Sequence, residues 1–254
     1  MIDVLCVAGT GEHAPPGSDR PVGLLAEVTR HLDEARFAVW NVAYPASYGP
    51  VGGANALGLD YVRSVEQGVQ ALLDEIRSTT NRVGLLGYSQ GATVVSRLLE
   101  GIERGDYPDV EIAFAGLVAN PTRADGWESI DGSNLGYGIA GEHGPWPSDF
   151  PIWEVAQPRD PICSLPGDSL LRSFADLTEA FSVADPGWWA QQLAARIHGH
   201  GLQAAGLDVA LAISELLDYA MFGQHAAYAT LQIPGVDLTY TEELAHLINE
   251  TVRE

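Results

Sequence analysis

Five short, almost continuously apolar runs recur along the chain, separated by longer polar or amphipathic stretches. They occupy residues 3–9, 37–44, 82–88, 112–120 and 150–157. Strands that are apolar on both faces are typical of parallel sheets covered by helices on each side. Between the second and third runs, residues 59–78 carry apolar side chains at helical spacing. This βαβ order predicts an α/β fold with a central, mostly parallel sheet of about five strands.

The stretch after residue 165 has a different pattern, because strand-like runs give way to helical ones. Helical spacing continues up to residue 222, and a further amphipathic pattern covers residues 239–252. With 254 residues and a 46% hydrophobic composition, the chain can bury one large core. We therefore predict one domain over residues 1–254, with a helical insertion or lid-like subdomain at residues 166–222.

The charge balance limits the partners that the protein can have. The chain contains 34 acidic and 13 basic residues, which gives a net charge of -21. Such a chain repels nucleic acid phosphates and anionic membrane surfaces, so we expect no nucleic-acid partner. All 13 basic residues are arginine. The lack of lysine excludes a P-loop lysine, a Schiff-base lysine and a Ser-Lys dyad.

Targeting and metal-binding signals are weak in this sequence. The N-terminal apolar run lacks a basic flank and is short for a secretory signal, so we predict no signal peptide. No run reaches the roughly 18 to 20 apolar residues of a membrane span, so we expect no transmembrane segment. Cys6 and Cys163 match neither a disulfide framework nor a zinc site, and His198 and His200 lack further ligands. We expect two free thiols, no metal and no cofactor.

The third apolar run ends in GYSQG, residues 87–91, immediately before a helical pattern. G-x-S-x-G between a strand and a helix is the context of the nucleophile elbow, a tight turn that exposes a serine. Gly87 and Gly91 let the strand and the helix approach closely, and the helix directs its free N-terminal amides at the serine. The motif predicts Ser89 as a nucleophile. The alternative is that the small residues merely permit a tight turn.

A serine nucleophile needs a histidine base, which follows it along the chain in hydrolases with this elbow. That order excludes the histidines before Ser89. Among the later ones, His246 lies in the final amphipathic pattern, which favours a residue on a helix surface. His225 follows an apolar helical pattern and a glycine, where a loop can return over the sheet.

The acid of such a site lies between the serine and the histidine in the sequence. Asp160 follows the fifth apolar run, and catalytic groups gather at the carboxyl ends of parallel strands. Pro158 and Pro161 stiffen this loop, which would hold a carboxylate against a histidine Nδ1. The alternative is that Asp160 only initiates an Asp-Pro turn. Asp168 competes less well, because it is a good N-cap for the next helical pattern.

A different function is suggested by GTGEHA, residues 9–14, which satisfies a dinucleotide-binding fingerprint. That pattern would make the protein an oxidoreductase, with Gly9, Gly11 and Ala14 at the phosphates. Two prolines follow directly, however, where the phosphate-binding helix should open. The sequence therefore disfavours this alternative.

Several motifs together resemble those of the cutinase-type serine esterases. They are VAGTGE, YPAS, LGYSQGA, VANPTR, GYGIAGE and DPIC. Within that group the sequence is most similar to the Lysin B endolysins of bacteriophages that infect mycolic-acid-bearing bacteria. The resemblance covers residues 1 to about 165. Beyond them it extends to the organisation alone, with a longer gap between acid and histidine than in a cutinase.

The resemblance implies a cutinase-like α/β hydrolase with a helical insertion before the catalytic histidine. It implies hydrolysis of the ester that joins mycolic acids to arabinogalactan in a mycobacterial-type cell wall, during phage-mediated host lysis. Such a protein would be made in the host cytoplasm, released at lysis and act as a monomer. The alternatives are an acyltransferase, a general cutinase or lipase of the same fold, and a catalytically inactive cell-wall-binding module.

Carried over residue by residue, the resemblance gives each motif a role. Ser89 becomes the nucleophile, Asp160 the orienting acid and His225 the base. The VAGTGE motif puts the amide of Thr10 beside that of Gln90 in an oxyanion hole.

The substrate-binding residues are expected around the histidine and in the insertion. Tyr228 matches the family's His-x-x-Tyr pattern, and Gln224 stands where the family often has a proline. Trp188 and Trp189 are adjacent, so on a helix they point about 100° apart and at least one faces solvent or the cleft. We expect Tyr228 and both tryptophans to contact the substrate. The alternative for the insertion is that its helices only bury one another.

Overall fold

The computed structural model describes residues 1–48, 61–167 and 223–253. In this part of the chain, five parallel strands form one sheet in the order β2-β1-β3-β4-β5. The strands are β1 (Ile2–Val7), β2 (Phe37–Asn41), β3 (Arg82–Tyr88), β4 (Ile112–Val118) and β5 (Ile152–Val155). Each lies within one of the five apolar runs or overlaps it closely. The predicted parallel sheet of about five strands is therefore confirmed.

The described helices cover both faces of the sheet. They are α1 (Gly23–Thr29), α2 (Tyr61–Ser78), α3 (Gln90–Glu103), a short 3₁₀ helix (Gln224–Ala229) and α4 (Tyr240–Thr251). Apolar residues of α2 and α3 form one core with the sheet, and those of α1 and α4 form a second core on the opposite face. The strands β1, β3 and β4 are buried almost throughout, because helices cover both faces of the sheet, whereas the edge strand β2 is partly exposed at Trp40.

The strand order locates the functional edge of the sheet. From β1 the chain crosses to β2 on one side, and β3 then pairs with β1 on the other. The carboxyl ends of β1 and β3 therefore flank the point where the order reverses, which is where α/β sheets bind their ligands. The loop after β1 contains GTGEHA, and the next helix begins only at Gly23. The helix that a dinucleotide site requires at this loop does not form there.

Several sequence expectations have a clear outcome in the described residues. Cys6 and Cys163 are both buried, free thiols, as expected. Among the described helices, none is long and apolar enough to cross a membrane. The predicted insertion at residues 166–222 lies almost entirely outside the described residues, as do Trp188, Trp189 and the His198 and His200 pair. The insertion stays a prediction.

A buried carboxyl lies in β5, close to the functional edge. Glu154 is almost fully buried, and its Oε1 accepts a hydrogen bond of 2.7 Å from Asn120 Nδ2. Burial raises the pKa of Glu154 to about 8, although the Asn120 hydrogen bond and the nearby charge of Arg123 act in the opposite direction. The folded protein therefore holds this carboxyl in its neutral form at neutral pH.

The raised pKa predicts a pH dependence of stability that Glu154→Gln removes. An unfolded chain releases this proton near pH 4.5, the ordinary value, whereas the folded protein holds it to about pH 8. The folded state thus binds more protons, so its stability falls with rising pH across this interval, by up to about 1.4 kcal/mol per pH unit. In urea unfolding, Glu154→Gln should gain stability over the wild type at pH 8 and gain little at pH 5. An equal difference at both pH values would contradict the prediction.

Candidate active site

Ser89 lies in a strained turn between β3 and α3. Its backbone has φ 53° and ψ −118°, a conformation that residues with a side chain rarely adopt. The close packing of α3 against both β3 and the end of β1 explains why the strain persists. A Cβ added to Gly91 would lie 1.9 Å from the carbonyl oxygen of Val7, and one added to Gly87 would lie 2.6 Å from the carbonyl oxygen of Gly91. These are the contacts expected of a nucleophile elbow.

His225 joins the serine to an acid through its two ring nitrogens. The Ser89 hydroxyl lies 2.9 Å from His225 Nε2, and His225 Nδ1 lies 2.8 Å from Asp160 Oδ2. A carboxylate only accepts hydrogen bonds, so the proton on the ring belongs to Nδ1 and Nε2 is left to accept from the serine. The 3₁₀ helix that follows Gly223 brings His225 to this point, although it is separated from Ser89 by 136 residues.

The carboxylate of Asp160 is fully buried and surrounded by donors. Its Oδ1 accepts from the amide of Ile162 at 3.0 Å, and its Oδ2 accepts from the hydroxyl of Tyr228 at 2.8 Å as well as from His225. Burial alone raises the pKa of Asp160, but the charge of His225 and these hydrogen bonds outweigh it and lower the pKa below its usual value. Asp160 is therefore ionised when it orients the imidazole.

The position of Tyr228 corrects one expectation from the sequence. This tyrosine is fully buried and donates to Asp160, and its oxygen also lies 3.2 Å from the sulfur of Cys163. It has no accessible surface to offer a substrate, so its hydroxyl serves the Asp160 carboxylate instead. The His-x-x-Tyr spacing thus brings both His225 and Tyr228 onto the carboxylate of Asp160.

Two contacts of the histidine are not predicted from the sequence. The ring of Tyr88 stacks on the ring of His225 with a centroid separation of 5.3 Å, and the Tyr88 hydroxyl donates to the His225 carbonyl at 3.1 Å. Gln157 Nε2 donates to the backbone carbonyl of Gln224 at 2.9 Å and so joins the acid loop to the histidine loop. The sequence does offer one signal for the Tyr88 contact. Tyr88 is the last residue of β3 and directly precedes Ser89, so its side chain must lie beside the site.

The loop after β1 passes directly beside Ser89. A Cβ built on Gly9 would lie 3.4 Å from Cβ of Ser89, so Thr10 follows within one residue of that contact. Gln90 is the first residue of α3, where a backbone amide has no partner inside its helix. The structure therefore brings both segments that carry the expected oxyanion donors, Thr10 and Gln90, next to Ser89.

The remaining histidines have other surroundings. His246 is exposed on α4, as its helical pattern indicated. His143 is buried and stacks on Trp146 with ring centroids 3.5 Å apart, and burial lowers the pKa of His143. Within residues 1–48, 61–167 and 223–253, no group of three or more acidic, histidine or cysteine side chains could hold a metal ion.

This arrangement can transfer a proton and expose a nucleophile. A hydroxyl that donates to a neutral imidazole, itself oriented by an ionised carboxylate, is the geometry that activates a serine for attack on a carbonyl. Main-chain amides beside the serine can stabilise negative charge that develops on the carbonyl oxygen. The five parallel strands, the elbow and the order of Ser89, Asp160 and His225 along the chain are those of the α/β-hydrolase fold.

The solved structure of one known protein agrees with this fold. Lysin B from Mycobacteriophage D29 superposes with a TM-score of 0.58 at 17% identity, over 98% of this chain and 99% of that chain. A cutinase-like protein from Cryptococcus sp. gives 0.41 at 16% identity, over 68% and 90%. An acetyl xylan esterase gives 0.43 at 19%, over 75% and 97%.

Sequence comparison adds one local match. The family described as "PE-PPE domain" matches residues 37–130, and no curated protein matches the chain. The likeness to lysin B confirms both the predicted α/β-hydrolase fold and the resemblance to that protein.

The close packing at the elbow predicts that Gly91→Ala is severely destabilising. Its new methyl group would overlap the backbone of β1, which cannot move without disturbing the sheet. We expect a loss of about 3 kcal/mol in the free energy of unfolding, at the upper end for overpacking. Gly144→Ala is the matched control, because its Cβ would meet nothing closer than 3.7 Å. Similar unfolding midpoints for the two variants would contradict this account of the turn.

Proposed function

We propose that this protein is a carboxylic ester hydrolase in which Ser89 is the nucleophile, His225 the general base and Asp160 the orienting acid. The observation that supports it most directly is the continuous line of hydrogen bonds from Ser89 through His225 to Asp160, with 2.9 Å and 2.8 Å between the bonded atoms. The strained turn at Ser89 supports it further, since backbone strain of this kind concentrates at functional sites.

In the proposed first step, Ser89 Oγ attacks the ester carbonyl while its proton moves to His225 Nε2. The carbonyl oxygen becomes an oxyanion, which the amides of Thr10 and Gln90 stabilise. The tetrahedral intermediate then expels the alcohol, which takes the proton from His225, and an acyl-enzyme remains on Ser89. Asp160 stays ionised throughout and stabilises the imidazolium.

In the second step, water replaces the alcohol. His225 takes a proton from the water as the oxygen attacks the acyl carbon, and a second tetrahedral intermediate forms at the same amides. Its collapse breaks the bond to Ser89 Oγ, which recovers its proton from His225, and the carboxylic acid leaves. A sugar hydroxyl in place of water would make the same acyl-enzyme a transferase.

For the substrate, we propose a lipid ester of the mycobacterial-type cell wall, namely the ester between mycolic acid and arabinogalactan. The fold shared with lysin B over nearly the whole of both chains supports this choice, together with the sequence motifs that resemble that group. Under this proposal the protein acts on the cell envelope after its release at phage-mediated lysis, without a cofactor.

The activity is tested with p-nitrophenyl butyrate. We expect Ser89→Ala and His225→Ala to lower kcat by about 10⁴-fold or more, because either change stops formation of the acyl-enzyme. His246→Ala is the matched control, since His246 is an exposed histidine of α4, and it should keep wild-type rates. Wild-type turnover by a folded Ser89→Ala protein would exclude the proposed nucleophile.

The substrate is tested with purified mycolyl-arabinogalactan, from which the wild type should release free mycolic acid, detected by mass spectrometry. Trp188→Ala and Trp189→Ala should lower this release more than they lower the hydrolysis of p-nitrophenyl butyrate, because a short acyl group makes little contact with either tryptophan. Equal losses on both substrates would contradict a role of these tryptophans at the acyl chain. Mycolyl trehalose formed in the presence of trehalose would instead indicate acyl transfer.

A further inference from the structure

The side chain of Gln90 is buried and lies in a closed ring of hydrogen bonds. Gln90 Oε1 accepts from the hydroxyl of Ser64 at 2.9 Å, and Gln90 Nε2 donates to the carbonyl of Ser47 at 2.9 Å. The ring closes because the amide of Ser47 donates to Ser64 Oγ at 3.1 Å. All three residues are buried. The ring joins α3, α2 and the loop that follows β2.

The loop after β2 is also hydrogen-bonded to the loop after β1. The carbonyl of Ala46, the neighbour of Ser47, accepts from the amide of Gly11 at 2.9 Å. The Tyr44 hydroxyl donates to the carbonyl of Ala8 at 2.6 Å. These two bonds enclose the segment that contains Thr10. Ala46 has φ 45°, which is a strained value for a residue with a side chain, and it is buried.

We infer that the Gln90 side chain, with Ser64 and Ser47, is a positioning device that sets the separation of the two oxyanion donors. This inference rests on the proposed function, in which the donors are the amides of Thr10 and Gln90. The two amides belong to segments that follow different strands. The loop from Tyr44 to Ser47 is hydrogen-bonded to both segments.

Breaking the ring of hydrogen bonds during catalysis is unfavourable. A buried amide or hydroxyl that loses its partner is destabilised, because water cannot replace the lost hydrogen bond, so each of the three groups resists a change in the others. Donors that are already in place need no reorganisation when negative charge develops, which is the main source of oxyanion stabilisation. A displacement of about 1 Å at such a site can cost about 100-fold in rate.

A different role for the ring would be to satisfy polar groups in the core and nothing more. The two roles predict different kinetics. A ring that only supports the fold would change the melting temperature and leave the rates of the folded enzyme unaltered. A ring that sets the donors would change steps that form an oxyanion and leave KM nearly unaltered, because the ground-state carbonyl depends less on these amides.

The test uses Ser64→Ala, which deletes one hydroxyl, and Gln90→Met, which removes both polar atoms of the side chain. Ser96→Ala is the matched control. Like Ser64, Ser96 is a buried serine on a helix, here α3, and its hydroxyl accepts a hydrogen bond of 3.1 Å from the Thr122 hydroxyl rather than from the loops after β1 and β2. Each full-length variant is measured for kcat and KM on p-nitrophenyl butyrate and for its melting temperature. The rate of inactivation by a p-nitrophenyl alkylphosphonate is measured in parallel. In that reaction Ser89 Oγ bonds to phosphorus, p-nitrophenolate leaves, and the serine proton passes to His225.

We expect Ser64→Ala and Gln90→Met to lower kcat and the phosphonylation rate together, by about 10- to 100-fold, with KM within about twofold of the wild type. Ser96→Ala should stay within about twofold in every rate. If Gln90→Met fails to fold, Ser64→Ala decides. Folded variants with wild-type kcat and phosphonylation rates overturn the inference and leave the proposed function standing. A wild type that neither hydrolyses the ester nor gains the phosphonate on Ser89 overturns both.

Discussion

The close approach of α3 to the end of β1 is the constraint on which the site depends. Gly91 has no room for a side chain, because a Cβ there would lie 1.9 Å from the carbonyl oxygen of Val7. This packing keeps Ser89 at φ 53° and holds Gly9 against it. Close main-chain packing therefore brings Ser89 and the loop after β1 together, and the hydrogen bonds of the Gln90 side chain act within this framework. The strand order places this contact where β1 and β3 lie side by side at the functional edge.

The acid illustrates how a buried charge can be kept and used. Burial of Asp160 disfavours its ionised form, yet hydrogen bonds from His225, Ile162 and Tyr228 together with the histidine charge lower its pKa. Because the carboxylate accepts from Nδ1 of the imidazole, Nε2 is available to Ser89. A single buried group thus fixes both the orientation and the tautomer of the base. Glu154 shows the opposite outcome, because it accepts a side-chain hydrogen bond from Asn120 alone among the described residues and burial raises its pKa to about 8.

Much of this could be predicted from the sequence, because the signals were local or repeated. Apolar runs located the strands, helical spacing located α2 and α4, and one pentapeptide located the turn at Ser89. The helix α1 was not predicted from the sequence. It has only seven residues, no side-chain cap of its own, and a hydrogen bond from Leu24 to the distant carboxylate of Glu12. Tyr228 was expected at the substrate for a similar reason, since spacing along a chain does not tell a residue behind the acid from one in front of it. The ring around Gln90 joins three distant segments, so no local pattern could indicate it.

The central claim is that Ser89, His225 and the amides of Thr10 and Gln90 act on one ester carbonyl. A crystal structure of the protein inactivated by a p-nitrophenyl alkylphosphonate tests it most directly, since the adduct resembles the tetrahedral intermediate. The account predicts phosphorus bonded to Ser89 Oγ, with one phosphoryl oxygen about 2.7 to 3.1 Å from both amides. An adduct on another residue, or an oxygen directed away from both amides, would contradict it.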